Sequence, residues 1–157
     1  MNDVDALVNN ANNINISRFM TDAFPNPYRT EDAIRFIHFA TADNPVHIFA
    51  IEIDEEAAGG IGIHPQSDVL RKNAELGYWL AEKHWGKGII TAAIPQMIEY
   101  GFKSFDITRI YARPFGNNPA SQRVLEKCGF KLEARIEKNL FKNGEFLDEL
   151  IYAVRNG

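Results

Sequence analysis

The stretch that decides the fold is residues 74–88, which read AELGYWLAEKHWGKG. Its first half alternates Leu76, Tyr78 and Leu80 with Glu75, Gly77 and Trp79, and this period of two predicts a β-strand over residues 74–81. Its second half places Gly86 and Gly88 directly before a run of apolar residues with the spacing of an amphipathic helix. The stretch therefore predicts a strand, a glycine-containing loop and a helix in succession.

The junction between this loop and the helix favours anion binding. The first N–H groups of a helix have no partners within it and carry the positive end of its dipole, so such junctions bind phosphate or pyrophosphate. Gly86 and Gly88 remove side chains there, although two glycines at such a turn also occur for steric reasons alone. Ile89 follows Gly88 where a Walker A loop needs Ser or Thr, and a third glycine for a dinucleotide fingerprint is missing. These mismatches disfavour a kinase or a nicotinamide enzyme.

The rest of the chain is predicted to place further helices and strands around one sheet. The predicted order indicates a mixed α/β fold that forms a single domain over residues 1–157. In the second helix we expect Thr30 to be the N-cap and Ile34, Ile37 and Phe39 to form the apolar face. The other predicted elements are a helix over residues 3–13, strands over 46–53 and 59–64, Pro95 inside the helix after Gly88, a strand over 108–115, a helix opened by Asn118 and ended by Gly129, and a hairpin of residues 132–141 and 146–154.

Composition restricts the class of protein further. The chain has 157 residues, 45% of them hydrophobic and 24% charged, which is typical of one globular domain. A formal charge of −4 without a basic stripe disfavours a nucleic-acid binder. Cys128 is the only cysteine, which excludes an internal disulfide and a thiolate zinc site. Every apolar run is much shorter than the roughly 20 residues that a membrane-spanning helix needs. We therefore expect a cytoplasmic protein without a metal, a nucleic-acid partner or a membrane span.

Three motifs in this order resemble the GNAT acyltransferases, most closely the RimJ/RimL-type subgroup that acetylates amino groups. They are ELGYWL at residues 75–80, WGKG at residues 85–88, and NPAS at residues 118–121 followed by EKCGF at residues 126–130. The resemblance extends over residues 5–154. It implies a GNAT fold, with a mostly antiparallel twisted sheet, a splayed strand pair and flanking helices, from which the N-terminal strand of the family is missing here.

The resemblance implies acetyl-CoA as the co-substrate. The pyrophosphate loop of the family matches residues 83–88, and its bulged strand matches residues 78–80, whose backbone N–H groups would stabilise the oxyanion. The strand over 108–115 would be the splayed partner. Asn118 matches a residue that contacts the pantetheine arm, although a helix N-cap role also explains it fully. The cofactor-binding residues implied are Trp79, Leu80, Lys83, Trp85, Gly86, Lys87, Gly88, Ile89, Asn118 and Ser121.

The implied reaction is direct attack on the thioester by a neutral primary amine, belonging to a protein N-terminus or to a small molecule. Ser121 matches a hydroxyl near the sulfur and is the candidate proton donor to the leaving thiolate. Glu75 is the candidate base, since other branches of the family use a strand carboxylate; the alternative is a solvated or ion-paired residue. Leu140 stands where RimL-like members carry a base, and Ala92 where the family usually has Glu.

Two other functions remain open at this point. Leu140 and Ala92 also fit a non-catalytic acyl-CoA-binding or regulatory module that keeps the fold and has lost the base. The glycine loop alone fits an unrelated α/β protein that binds another phosphorylated ligand. The missing N-terminal strand leaves an uncovered sheet edge, which favours a homodimer.

Overall fold

A computed structural model describes residues 3–157 and contains helices and strands in the predicted order. Among these residues every helix falls short of the length and apolar character that a membrane span requires. The helices are α1 (Asp3–Ala11), α2 (Ile14–Ser17), α3 (Thr30–Ala40), α4 (Ile89–Ser104) and α5 (Pro119–Lys127), with 3₁₀ turns at Asp68–Leu70 and Glu82–His84. The strands are β1 (Ile48–Ile53), β2 (Glu56–Pro65), β3 (Asn73–Leu80), β4 (Arg109–Ala112), β5 (Lys131–Lys142) and β6 (Glu145–Arg155).

The six strands form one sheet in the order β1-β2-β3-β4-β6-β5. β1 pairs with β2, β4 with β6 and β5 with β6 in antiparallel fashion, whereas β3 pairs with β4 in parallel through residues 73–75 and 109–111. β4 is shorter than the predicted strand over 108–115, since Pro114 has no N–H to donate to a ladder. β3 itself continues to Leu80, beyond Glu75, its last residue paired with β4. The mixed α/β architecture with a mostly antiparallel sheet is confirmed.

The chain divides into two compact units, the first comprising residues up to Gly62 with Tyr78–Ile89 and the second Ile63–Gly77 with Ile90–Gly157. In the first unit α1 packs against α3. Its core consists of Leu7, Ala11, Ile16, Tyr28, Ala33, Ala57 and Trp79. In the second unit the largest side chains fully removed from solvent are Ile63, Ile94, Ile110 and Leu125.

Helix α3 begins at Thr30, the residue predicted as its cap, and it buries only part of the predicted apolar face, since Ile37 packs against the core of the first unit as predicted whereas Phe39 does not. Thr30 is its first helical residue and Arg29 is the N-cap, so the prediction for Thr30 was wrong. The Arg29 backbone N–H donates to Asp32 Oδ2 at 2.9 Å. Phe39 is 56% exposed, whereas Ala33 is buried. Residues three or four positions apart share a helix face, and Phe39 lies six after Ala33, which turns it towards solvent.

The closing hairpin combines a predicted turn with an unpredicted bulge. Asn143 and Gly144 both have positive φ, 51° and 81°, as the Asn-Gly signature of a type I′ turn requires. Ile136 pairs with Glu149 and Leu140 with Leu147, so residues 137–139 of β5 lie opposite the single residue between those partners. The bulge bends β5 and re-aims the side chains within it.

Leu125 is expected to be the most sensitive apolar contact of α5. It is fully buried, and its carbonyl accepts the Phe130 N–H at 3.0 Å, just after the helix ends. We expect Leu125→Ala to lower the free energy of unfolding by about 3 kcal/mol, because the truncation leaves a cavity. Urea denaturation measures this. Leu70→Ala, at a leucine that is 53% exposed, is the control and should cost less than about 0.5 kcal/mol. Equal losses would contradict the assigned burial.

Candidate active site

In the first unit, an open glycine loop leads into the N-terminus of α4. Gly86 and Gly88 have φ of +73° and +75°, a left-handed conformation that only glycine adopts at little cost. A Cβ at either position would have no neighbouring atom within 4 Å. Lys87 between them is exposed. The loop therefore presents backbone and one cation to open space at a helix N-terminus, which is suited to an anion.

Side chains from elsewhere in the first unit anchor the turn before this loop. Glu82 accepts hydrogen bonds from Asn15 Nδ2 at 3.0 Å and from Asn13 Nδ2 at 2.7 Å. These bonds lower the pKa of Glu82, which keeps it ionised. Lys83 Nζ pairs with Glu56 Oε2 at 3.1 Å, so its charge is shared with a carboxylate. The roles of Glu82, Asn13 and Asn15 could not be predicted from the sequence, because no local pattern links residues so distant in the chain.

The two tryptophans of the motif have different surroundings. Trp79 is 7% exposed and contacts Phe24 edge to face, with ring centroids 5.8 Å apart, so its side chain belongs to the core. Trp85 is 44% exposed, and its indole N–H donates to the Leu80 carbonyl at 2.8 Å. That bond holds the Trp85 ring beside the loop. Contact of Trp79 or Leu80 with a cofactor, through the backbone, stays a prediction.

In the second unit, Asn118 caps α5 as predicted. Its Oδ1 accepts the backbone N–H of Ser121 at 3.3 Å, and Pro119 occupies the first helical position. Gln122 Nε2 donates back to the carbonyls of Phe115 and Gly116 at 3.4 and 3.2 Å. These bonds fix the half-buried Ser121 in the first turn of the helix. Their geometry supports capping and leaves the cofactor contact of Asn118 a prediction.

We expect Asn118→Ala to lower the free energy of unfolding by about 1 kcal/mol, because the Ser121 N–H loses its acceptor. Asn118→Asp restores a side-chain oxygen at the cap and should recover most of that loss. Guanidinium denaturation of the three proteins under one condition measures both differences. Equal losses for the two variants would show that capping contributes nothing at this position.

Glu75 and Arg113 form a bidentate ion pair in the same unit. Arg113 Nε donates to Glu75 Oε1 at 2.9 Å and Arg113 Nη2 to Glu75 Oε2 at 3.0 Å. The bonds with Glu75 raise the pKa of Arg113, while burial raises the pKa of Tyr111 beside them. Both Glu75 oxygens are thus engaged, as expected for the ion-paired alternative. A base role for Glu75 stays a prediction, and it requires one of these bonds to open.

Glu149 on β6, a buried carboxylate that was not predicted as a site residue, is the second partner of Arg113. It is 6% exposed, and its Oε1 accepts from Arg113 Nη1 at 3.3 Å. Its Oε2 accepts from Asn139 Nδ2 at 2.6 Å, and Asn139 belongs to the bulge of β5. The available signal was a pair of acidic residues, Asp148 and Glu149, within the otherwise apolar stretch LDELIYAV at residues 147–154.

Leu140, which the resemblance places where RimL-like members carry a base, lies in the second unit. Leu140 is half-buried opposite Leu147 and directly follows the bulge. The bulge changes which β5 residues face β6. Counting residues along the sequence therefore does not show which β5 side chain occupies the place of the family's base.

Among residues 3–157 no three His, Cys, Asp or Glu side chains are grouped to hold a metal ion.

Comparison with known proteins decides the family. Residues 1–131 match the family described as the acetyltransferase (GNAT) domain. The chain belongs to the GNAT acetyltransferases. The ribosomal-protein-serine acetyltransferase of Escherichia coli is 34% identical over 106 residues, which are 68% of this chain and 59% of that protein. The matched stretch spans 56% and 55% of two Bacillus subtilis N-acetyltransferases, slightly more than half of their length.

Solved GNAT structures have the same fold. The Microcin C7 self immunity acetyltransferase MccE, in complex with acetyl-CoA and AMP, is 31% identical with a TM-score of 0.80, and the match covers 97% of this GNAT chain and 85% of MccE. Mycobacterium smegmatis RimJ, in complex with CoA-disulfide, is 27% identical with a TM-score of 0.70, covering 80% of this chain and 62% of RimJ. The predicted family, its RimJ/RimL-like character and the fold class are confirmed.

Proposed function

We propose that this GNAT chain transfers the acetyl group of acetyl-CoA to a primary amine. The observation that carries the proposal is the open loop with Gly86 and Gly88 at the N-terminus of α4, in a chain of this family. Backbone N–H groups at a helix N-terminus, together with Lys87, suit a pyrophosphate. Support also comes from MccE and RimJ, whose structures contain acetyl-CoA and a CoA-disulfide.

The residues would divide the work as follows. Bound acetyl-CoA supplies an acetyl group activated as a thioester. Backbone N–H groups of residues 78–80 would donate to the carbonyl oxygen as negative charge develops there. Ser121 would donate its hydroxyl proton to the sulfur as the carbon–sulfur bond breaks, and would regain a proton from solvent. The attacking nitrogen would lose its proton to a base or a water chain, and Glu75 is the candidate base.

For the acceptor, we propose the amino terminus of a protein as the first class to examine. The Escherichia coli relative is named for acetylating a serine of a ribosomal protein. A net charge of −4 favours the approach of cationic acceptors in general, which also include polyamines.

An acetyl-transfer assay tests the proposal. The chain is mixed with acetyl-CoA and, in turn, a peptide with a free N-terminal serine, spermidine or an aminoacyl nucleotide. We expect one acceptor to give saturable release of free thiol matched by the mass of one added acetyl group. The same peptide with a blocked N-terminus is the control and should not react. Folded protein that acetylates none of the acceptors would overturn the proposal.

A further inference from the structure

The side chain of Arg113 connects β3 and β6, the two strands on either side of β4. It directly follows β4, whose neighbours in the sheet are β3 and β6. Its guanidinium binds Glu75 of β3 through two hydrogen bonds and Glu149 of β6 through a third. A planar fork of fixed donors is what such bridging requires, and a lysine ammonium does not supply it.

The Glu149 end of this bridge is buried and has a partner for each carboxylate oxygen. A carboxylate that is 6% exposed needs charged or hydrogen-bonding partners, and Arg113 and Asn139 supply one to each oxygen. The backbone of Glu149 also forms a β-bridge with Phe115. The side chain of Glu149 therefore holds Arg113 while its main chain holds the segment that follows Arg113.

That segment, residues 113–118, leads directly to the first turn of α5. Leu150 N–H donates to the Pro114 carbonyl at 3.1 Å, and Gly116 N–H to the Asp148 carbonyl at 2.8 Å. The Asn118 N–H then donates to the Phe115 carbonyl at 3.0 Å. A continuous series of contacts thus runs from Arg113 through the segment to Asn118, which caps the turn that carries Ser121.

We propose that Arg113 is a positioning residue for Ser121: by bridging Glu75 and Glu149 it fixes the segment that sets the first turn of α5. The catalytic part of this inference rests on the proposed acetyl transfer. Ion pairs often contribute little net stability whether they are exposed or buried, and the Arg113 side chain is 44% exposed, so conformational specificity is the role assigned to this bridge. In this arrangement Glu75 holds the Arg113 guanidinium in place by accepting two hydrogen bonds from it.

Arg109 provides a matched control on the same strand. At the start of β4 it binds Glu133 Oε2 at 3.1 Å through Nε and Asn73 Oδ1 at 2.9 Å through Nη1. Arg109→Met therefore removes a bridging guanidinium of similar type, whose partners lie outside the segment before α5. Arg113→Met and the milder Arg113→Lys are compared with it, and Arg113→Lys takes over if Arg113→Met does not fold.

The kinetic test is a double-mutant cycle with Ser121→Ala. We expect Arg113→Met to lower kcat about tenfold relative to Arg109→Met, with the dissociation constant of acetyl-CoA changed less than about twofold. In the Ser121→Ala background the same change should have no further effect, because a residue that acts through Ser121 has nothing left to position. Additive effects, or equal kcat for Arg113→Met and Arg109→Met, would overturn the proposal.

A second measurement does not depend on activity. The Ser121 N–H, bonded to Asn118 Oδ1, should exchange with solvent about tenfold faster in Arg113→Met and at the parent rate in Arg109→Met, by amide exchange in NMR. Unchanged exchange in Arg113→Met would refute the positioning role. If the parent chain transfers no acetyl group, the proposed function fails, while this exchange result still decides whether Arg113 orders the turn.

Discussion

Gly86→Glu is expected to weaken acetyl-CoA binding at least about 100-fold, a loss of about 2.7 kcal/mol. A carboxylate would enter the open space beside the loop, where a Cβ has no neighbour within 4 Å. It would oppose the pyrophosphate by charge and compete for the backbone N–H groups at the start of α4. Isothermal titration of acetyl-CoA into the parent and the variant measures the ratio.

Gly144→Glu is the control for this variant. Gly144 has φ of +81° and open space around it, so the substitution adds the same charge and a similar backbone strain in the hairpin turn. We expect it to leave the dissociation constant within about twofold of the parent. Equal weakening by both variants would mean that net charge or general strain, and not the loop, controls binding.

Ser121→Ala is expected to lower kcat about 100-fold or more while leaving acetyl-CoA affinity within about twofold. Removal of one hydroxyl takes the proton donor from the leaving thiolate but keeps the backbone N–H that Asn118 caps. Helix α5 therefore keeps its first turn, and the loss appears in the chemical step. Steady-state kinetics with saturating acceptor, combined with titration of acetyl-CoA, separates the two parameters.

Ser67→Ala is the matched control, because Ser67 is an exposed serine that precedes the Asp68–Leu70 turn and makes no capping hydrogen bond through its side chain. It should leave kcat unchanged. If Ser121→Ala also retained the parent kcat, the proton donor would have to be another group, and the carry-over of this role from the family would be wrong.

Features governed by neighbouring residues were predictable from the sequence. Asn118 and Pro119 start α5 because a side-chain acceptor and a fixed φ suit the start of a helix. Asn143 and Gly144 turn the closing hairpin because both tolerate positive φ. The GNAT fold as a whole was predicted from the resemblance of three motifs to that family.

Features that depend on distant residues were not predictable in this way. Arg113 meets Glu75 and Glu149 only once three strands lie side by side, 38 and 36 positions apart in sequence. The bulge at residues 137–139 changes the register of β5 without a glycine or proline to mark it. The homodimer, and the roles of individual residues towards acetyl-CoA and the acceptor, stay predictions.

Calorimetric titration of the unaltered chain with acetyl-CoA, repeated in the presence of ATP, tests the central claim most directly. We predict saturable binding at one site per chain that excess ATP does not displace, because the proposed site would contact the thioester arm of acetyl-CoA as well as its pyrophosphate. Absence of binding, or displacement by ATP as effective as by CoA, would contradict the account and return the loop to a general phosphate-binding role.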